Sequence, residues 1–272
     1  MTHLDLWLAN FPDDMGQYIA MQLLYRFIYY SERDVKRLLE HGLYKVFLYR
    51  TSVTWGKDSQ FTMKAEKQRE LGDQIIGGIM FTPLLDRNKP SESGNVLCRY
   101  LNRDLGISSE QICQPQDLSD LQNKHVVILD DFIGSGQQIL DFWNLPKING
   151  NRLSDLATTN GLEVTYLCLV ATRYGLSRIG ARNIHLTVLT CETLEDNHRV
   201  FNVPSLYFGP QTQVESAKHY LFHLCRKHRI PLLGFRDLDY AVAFHHAVPD
   251  ATLPLFWKET ANWRPLMKRR RG

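Results

Sequence analysis

The sequence predicts an α/β fold: a parallel sheet flanked by helices, preceded by a helical region. Two observations carry this. Four short apolar runs, at 77–82, 126–130, 164–171 and 184–190, follow one another with helical segments between them. Strands that alternate with helices predict a parallel sheet covered on both faces. The runs are also continuous: Val126-Val127-Ile128-Leu129 and the stretch from Val164 to Ala171 carry no polar alternation, as expected of strands buried on both sides. The division this suggests is a helical N-terminal region over 1–70 and the α/β domain over 71–272, ending in a basic tail.

In chain order, residues 1 to about 56 read as largely helical. Leu4, Leu6, Trp7 and Leu8 open an apolar patch, and Ile19, Leu23, Leu24, Phe27 and Ile28 recur at helical spacing. Ser31 with Asp34 has the form of a capping box, ahead of Val35, Leu38 and Leu39 on one helix face. Tyr44 to Tyr49 fits helix or strand, 51–58 reads as a loop, and 59–71 as a helix. Gly77 to Thr82 is the first strand, Pro83 to Ser93 a polar loop, and Asn95 to Leu105 a helix. The strand at 126–130 follows, then its loop and helix. Val164 to Ala171 is the third strand, with a helix from Arg173 to Ala181, and Ile184 to Thr190 the fourth. Pro210 to Arg229 reads as a helix and Asp239 to His246 as a strand. Val248 to Trp257 is a Pro-punctuated closing loop.

At 272 residues the chain can bury a full core, and its 44% hydrophobic and 22% charged content is that of an ordinary globular protein. The net charge of +3 is unevenly spread: Lys258, Arg264, Lys268, Arg269, Arg270 and Arg271 face only Glu259 near the end. Such a tail can touch nucleic acid or an acidic partner, or simply be a solvated end. Five scattered cysteines without C-x-x-C spacing argue for reduced thiols and against a disulfide framework or zinc ribbon. With no signal segment and no long apolar run, the expectation is a soluble cytoplasmic protein that does not enter a membrane.

The chemistry concentrates in His125 to Trp143, HVVILDDFIGSGQQILDFW. Asp130 and Asp131 fall where the strand emerges, and Phe132 and Ile133 carry the chain over the rim. Gly134-Ser135-Gly136 supplies backbone freedom, and Gln137 and Gln138 open a helix. Unpaired N–H groups at a helix start attract a phosphate. Adjacent carboxylates attract sugar hydroxyls or a hard cation such as magnesium. Ligands of parallel sheets sit beyond the carboxyl ends of the strands, where the 86–94 loop also falls. A dehalogenase-type phosphatase needs an Asp two residues after its nucleophile, where Phe132 or Ile133 stands. A dinucleotide fingerprint does not fit, because the acids precede the glycines.

This segment resembles the PRPP loop of type I phosphoribosyltransferases, with Asp130 and Asp131 as its acidic pair and Ser135-Gly136 as its Thr/Ser-Gly core. Gly134 stands where many members carry Asp or Thr, and Gln138 where a hydroxyl residue binds phosphate. The resemblance implies a 5′-phosphate cradle from the N–H groups of Gly134, Ser135, Gly136, Gln137 and Gln138. It implies ribose and magnesium contacts from Asp130 and Asp131, and a pyrophosphate loop of Lys89, Ser91, Ser93 and Gly94. Arg173 and Tyr174, after the third strand, fall on the base or acceptor side.

The chain as a whole resembles the phosphoribosyltransferase-like proteins of bacterial conflict systems. WLANFP at Trp7 to Pro12, FIYYSERDVKRLL after it, K-x-S-x-S-G at Lys89 to Gly94, DDFIGSG and FHHAVPDATLPLFW carry the likeness. It implies a defence effector acting on PRPP or a nucleotide, beside a partner such as a retron reverse transcriptase with its noncoding RNA or DNA. Two other readings stand: a degenerate sensor of PRPP or nucleotide, favoured by Gly134 and Gln138, and an assembly subunit. His219 and His223, four apart and near Cys225 and His228, have zinc-like spacing but lie among packing residues. His245 and His246 end a strand, where alternation points the rings apart.

Overall fold

The computed structural model describes residues 2–48, 72–85, 93–118, 121–122, 124–148, 150–182 and 184–269. The expected loop at 51–58, the helix at 59–71, and Lys89 and Ser91 lie outside these residues.

Helix α1 (His3–Leu8) starts on a capping box in which Thr2 and Asp5 exchange backbone N–H contacts, and α2 (Asp14–Tyr25) starts on Asp13, which accepts from Gly16 N. Strand β1 (Ile28–Tyr30) replaces the helical continuation expected at Phe27 and Ile28. An isoleucine followed by two tyrosines suits a pleated strand, and pairing with a distant partner decides it. Helix α3 (Glu32–His41) follows and runs into π-turns over Gly42–Phe47. Then come β2 (Ile79–Pro83), α4 (Ser93–Leu105), β3 (His125–Ile133), α5 (Gln137–Asn144), the short pair β4 (Pro146–Ile148) and β5 (Asn151–Arg152), and α6 (Leu153–Thr159). β6 (Glu163–Thr172), α7 (Arg173–Gly180), β7 (Thr187–Leu194), α8 (Gln211–Lys227) and β8 (Val242–Phe244) complete the order.

These elements form two compact units. One contains β2, β3, most of β6, and β7, in the order β2-β3-β6-β7, with β3 parallel to both neighbours. Val126, Ile128, Tyr166 and Cys168 pack with Ile139, Phe142 and Trp143 of α5. The fourth strand begins at Thr187, three residues later than its apolar run, because Ile184 and Leu186 are spent packing on the core from the preceding loop.

The other unit joins the two ends of the chain. β1 pairs parallel with β8, Ile28 opposite Val242 and Tyr30 opposite Phe244. Trp7 stacks on Phe256 at 5.4 Å and meets Phe11 edge-on at 4.9 Å. The indole N–H groups of Trp7 and Trp263 both donate to the Leu255 carbonyl, at 3.0 and 2.9 Å, which satisfies two buried donors on one acceptor. β8 stops at Phe244, so His245 and His246 lie in a bend outside the expected strand. Alternation does not apply to them, and their Nδ1 atoms approach to 3.4 Å. Among the described residues no helix is long and apolar enough to cross a membrane.

Candidate functional site

β3 continues through both acids and on to Ile133, where the sequence suggested that the strand ended near Asp130. Phe132 and Ile133 do not cross a rim; they pair with Val170 and Ala171 of β6, because apolar residues beside an apolar strand gain more from continued pairing. β2 ends at Pro83 opposite Leu129, and the Leu84 N–H closes that ladder on the Leu129 carbonyl at 2.9 Å. β3 therefore outruns β2 from Asp130 onward, at the carboxyl end of the sheet. Regular pairing through 130 and 132 sends the neighbouring carboxylates out on opposite sides of the strand.

Both acids are buried, Asp130 with 3% and Asp131 with 5% of its surface exposed. Asp130 accepts from groups on β6, α4 and β3 itself. Tyr166 Oη donates to Oδ2 at 2.7 Å, while Ser93 Oγ at 3.3 Å and the Asp131 N–H at 3.0 Å donate to Oδ1. Burial pushes the Tyr166 phenol well above its ordinary range, and the negative Asp130 pushes it further, so it remains a donor. Cys168, opposite Asp130, is likewise pushed well up by burial and then by the two acids; its thiol stays protonated.

Ser93 and Gly94 sit in the first turn of α4 instead of the loop before it. A Cβ on Gly94 would stand 2.8 Å from Pro83 Cβ and 3.1 Å from the Leu129 carbonyl oxygen; the missing side chain lets the helix start press against the ends of β2 and β3. Ser93 thereby reaches Asp130, which ties part of the expected pyrophosphate loop to the acid pair.

Beyond Ile133 the chain bends through Gly134, Ser135 and Gly136 into α5. Gly136 adopts φ 69°, ψ 5° and caps the helix with no side-chain acceptor. Ser135 is buried, Gly134 and Gln137 are half-buried, and Gln138 is exposed. The Gln137 N–H lies 3.4 Å from Ser135 Oγ, and the Gln137 side chain donates to Asp141 Oδ1 at 2.8 Å. The turn is closed on one side by α7. Arg178 donates to the Ser135 carbonyl and, at 3.1 Å, to Gln137 Oε1, while Ile179 and Gly175 crowd Gly136.

Tyr166 and Arg178 were not anticipated. Tyr166 is the large hydroxyl in the otherwise apolar run VTYLCLVA, and that interruption was the available signal. Arg173, expected on the acceptor side, makes a two-pronged pair with Glu195, Nε to Oε2 at 2.9 Å and Nη2 to Oε1 at 2.5 Å, which holds the exposed Glu195 carboxyl below its usual range. Arg173 and Tyr174 cluster with the unit built from the chain ends. His219 and His223 are exposed, with Nε2 atoms 3.1 Å apart, and among the described residues no group of three metal-binding side chains gathers.

A family model described as PRTase-CE matches residues 4–269. No curated protein matches. Similar solved structures include the orotate phosphoribosyltransferase of Aeropyrum pernix, 19% identical over 45% of this chain and 63% of that one, TM-score 0.29. A hypothetical protein of Neisseria gonorrhoeae with bound ppGpp is 14% identical over 62% and 84%, TM-score 0.34. The adenine phosphoribosyltransferase of Thermoanaerobacter pseudethanolicus is 14% identical over 48% and 83%, TM-score 0.27. The chain spans less than two thirds of the Aeropyrum enzyme.

Proposed function

This chain belongs to the PRTase-CE family, and from that premise we propose that it is a phosphoribosyltransferase-like effector acting at the anomeric carbon of PRPP or a nucleotide, by transfer or hydrolysis. One observation carries the reading. A buried acid pair outruns its neighbouring strand and leads directly into a left-handed glycine turn at the start of α5.

The chemistry needs three things. Backbone N–H groups of 134–138 hold the 5′-phosphate at the positive end of α5. Asp130 and Asp131 take the ribose hydroxyls and favour the positive charge that develops on the sugar as the leaving group departs. Ser93 and Gly94 open α4 toward the pyrophosphate side, with Lys89 and Ser91 assigned to the same loop. Magnesium suits this donor set, because it prefers one or two carboxylates together with substrate phosphates. Held by Asp130 or by Asp131, whose carboxylates leave β3 on opposite sides, it would neutralise the leaving pyrophosphate. Arg173 and Tyr174 are the acceptor-side candidates.

The setting proposed is antiviral defence in the cytoplasm, with a reverse transcriptase and its noncoding RNA or DNA as the partner class; the likeness of the end motifs to conflict-system proteins supports it. A second reading, a degenerate PRPP or nucleotide sensor, is favoured by Gly134 and Gln138, which lack the carboxylate and hydroxyl of active loops, and by the depth of both acids. Profiling metabolites and RNA in cells expressing wild type and the Asp130→Asn/Asp131→Asn pair tests the proposal. Nucleotide or PRPP changes that vanish in the double variant support catalysis. Identical profiles together with PRPP binding by calorimetry support the sensor.

A further inference from the structure

The phosphate turn has a feature that the family pattern does not supply. Helix α7 presents Gly175, Arg178 and Ile179, spaced i, i+3 and i+4, to the turn at 134–137. A Cβ on Gly136 would lie 2.8 Å from Ile179 Cγ1 and 3.1 Å from the Gly175 carbonyl oxygen. With its φ of 69°, position 136 is closed to other residues on both counts.

The Arg178 guanidinium bonds to the carbonyl of Ser135. The Ser135–Gly136 peptide is trans, so its carbonyl and the Gly136 N–H point in opposite directions. Holding the carbonyl against α7 therefore aims the Gly136 N–H away from α7. The second arm of the same guanidinium takes Gln137 Oε1 at 3.1 Å, and the Gln137 amide in turn donates to Asp141, so this side chain is tied back along α5.

We propose that Arg178 is the positioning residue of the phosphate cradle: it locks the Ser135–Gly136 peptide with its N–H facing a 5′-phosphomonoester. The inference rests on the reading of 134–138 as a 5′-phosphate site. Calorimetry with ribose 5-phosphate and, separately, with pyrophosphate tests it. In Arg178→Gln, affinity for ribose 5-phosphate falls about tenfold or more, as expected for loss of a charge-assisted contact. Affinity for pyrophosphate stays at the wild-type value, because that ligand belongs to the Ser93–Gly94 side. Arg178→Lys, with the charge and one donor kept, is intermediate. Unchanged ribose 5-phosphate affinity in Arg178→Gln, or a parallel loss for both ligands, overturns the inference. If melting shows that Arg178→Gln does not fold, wild-type affinity in Arg178→Lys overturns it instead. A wild-type protein that binds neither ribose 5-phosphate nor PRPP removes the cradle reading itself, before any variant is made.

Discussion

Asp130 and Asp239 are both buried aspartates, 3% and 2% exposed, yet they are held in different ways. Asp239 has an arginine: Arg199 Nε donates to its Oδ1 at 2.5 Å, and the Phe201 N–H donates to Oδ2 at 2.7 Å. Arg199 also donates to the Asp237 carbonyl at 3.1 Å, so the pair braces the segment from Arg199 to Asp239. The donors named on Asp130 are neutral, two hydroxyls and an amide, from α4, β6 and β3 itself. A carboxylate with its own cation is a brace. The hydroxyl and amide donors named on Asp130 instead fix the direction of its carboxylate at the carboxyl end of the sheet.

The sharpest way to break this contrast is to neutralise each acid. Asp130→Asn with Asp131→Asn is expected to lower turnover on the phosphoribosyl donor by about 10²–10³-fold, the scale of a lost electrostatic contact at a reacting centre. The melting temperature should hardly move. Asp239→Asn should do the reverse, and steady-state kinetics with thermal melts on both variants decide it. Equal destabilisation by the two would erase the distinction.

Next in size, Arg199→Ala strands a buried carboxylate. The loss in urea unfolding is expected at about 2–3 kcal/mol, below the usual cost of breaking a buried pair because the arginine is partly exposed. Tyr166→Phe removes one neutral donor from Asp130. About 1 kcal/mol of stability should go, and kcat should fall with KM nearly unchanged, since the phenol orients a group and binds nothing.

A smaller effect follows from His125. Burial holds its imidazole below the ordinary value of 6.5, against the opposing pull of Glu163. The unfolded chain then takes up a proton more readily than the folded one. Stability is fully present above that value and is lost as pH falls below it, toward the lower folded value. The melting temperature should drop as pH falls below 6.5, and the drop should shrink in His125→Gln. Smallest of all, Arg173→Ala breaks an exposed pair and should leave the melting curve unchanged, so any rise in KM for the acceptor would be a direct effect at the site.

The central strands were legible because burial on both faces leaves a continuous apolar run, as at Val126 to Leu129. The glycine turn was legible because its residues have few other uses. Local pattern misled where a distant partner decides. Ile28 to Tyr30 shares its spacing with the helix before it, and only Val242 to Phe244 makes it a strand. Phe132 and Ile133 looked like a rim because two aspartates precede them, whereas Val170 and Ala171 keep them in the sheet. Ser93 passed for loop because helix starts favour serine and loops do too. Arg178 was not legible because a basic residue inside a short surface helix has no distinctive pattern.

The parallel pairing of Ile28 with Val242 has a consequence for biosynthesis. During synthesis β1 and the Trp7 side chain emerge before the strands of the four-stranded sheet, and β8 and Phe256 only after them. The intervening sheet can assemble from neighbours close in sequence while the other unit waits half-made, with Trp7 and Phe11 uncovered. Nascent chains stalled before residue 242 should therefore be the ones that recruit chaperones, and emergence of residues 242–256 should end that exposure.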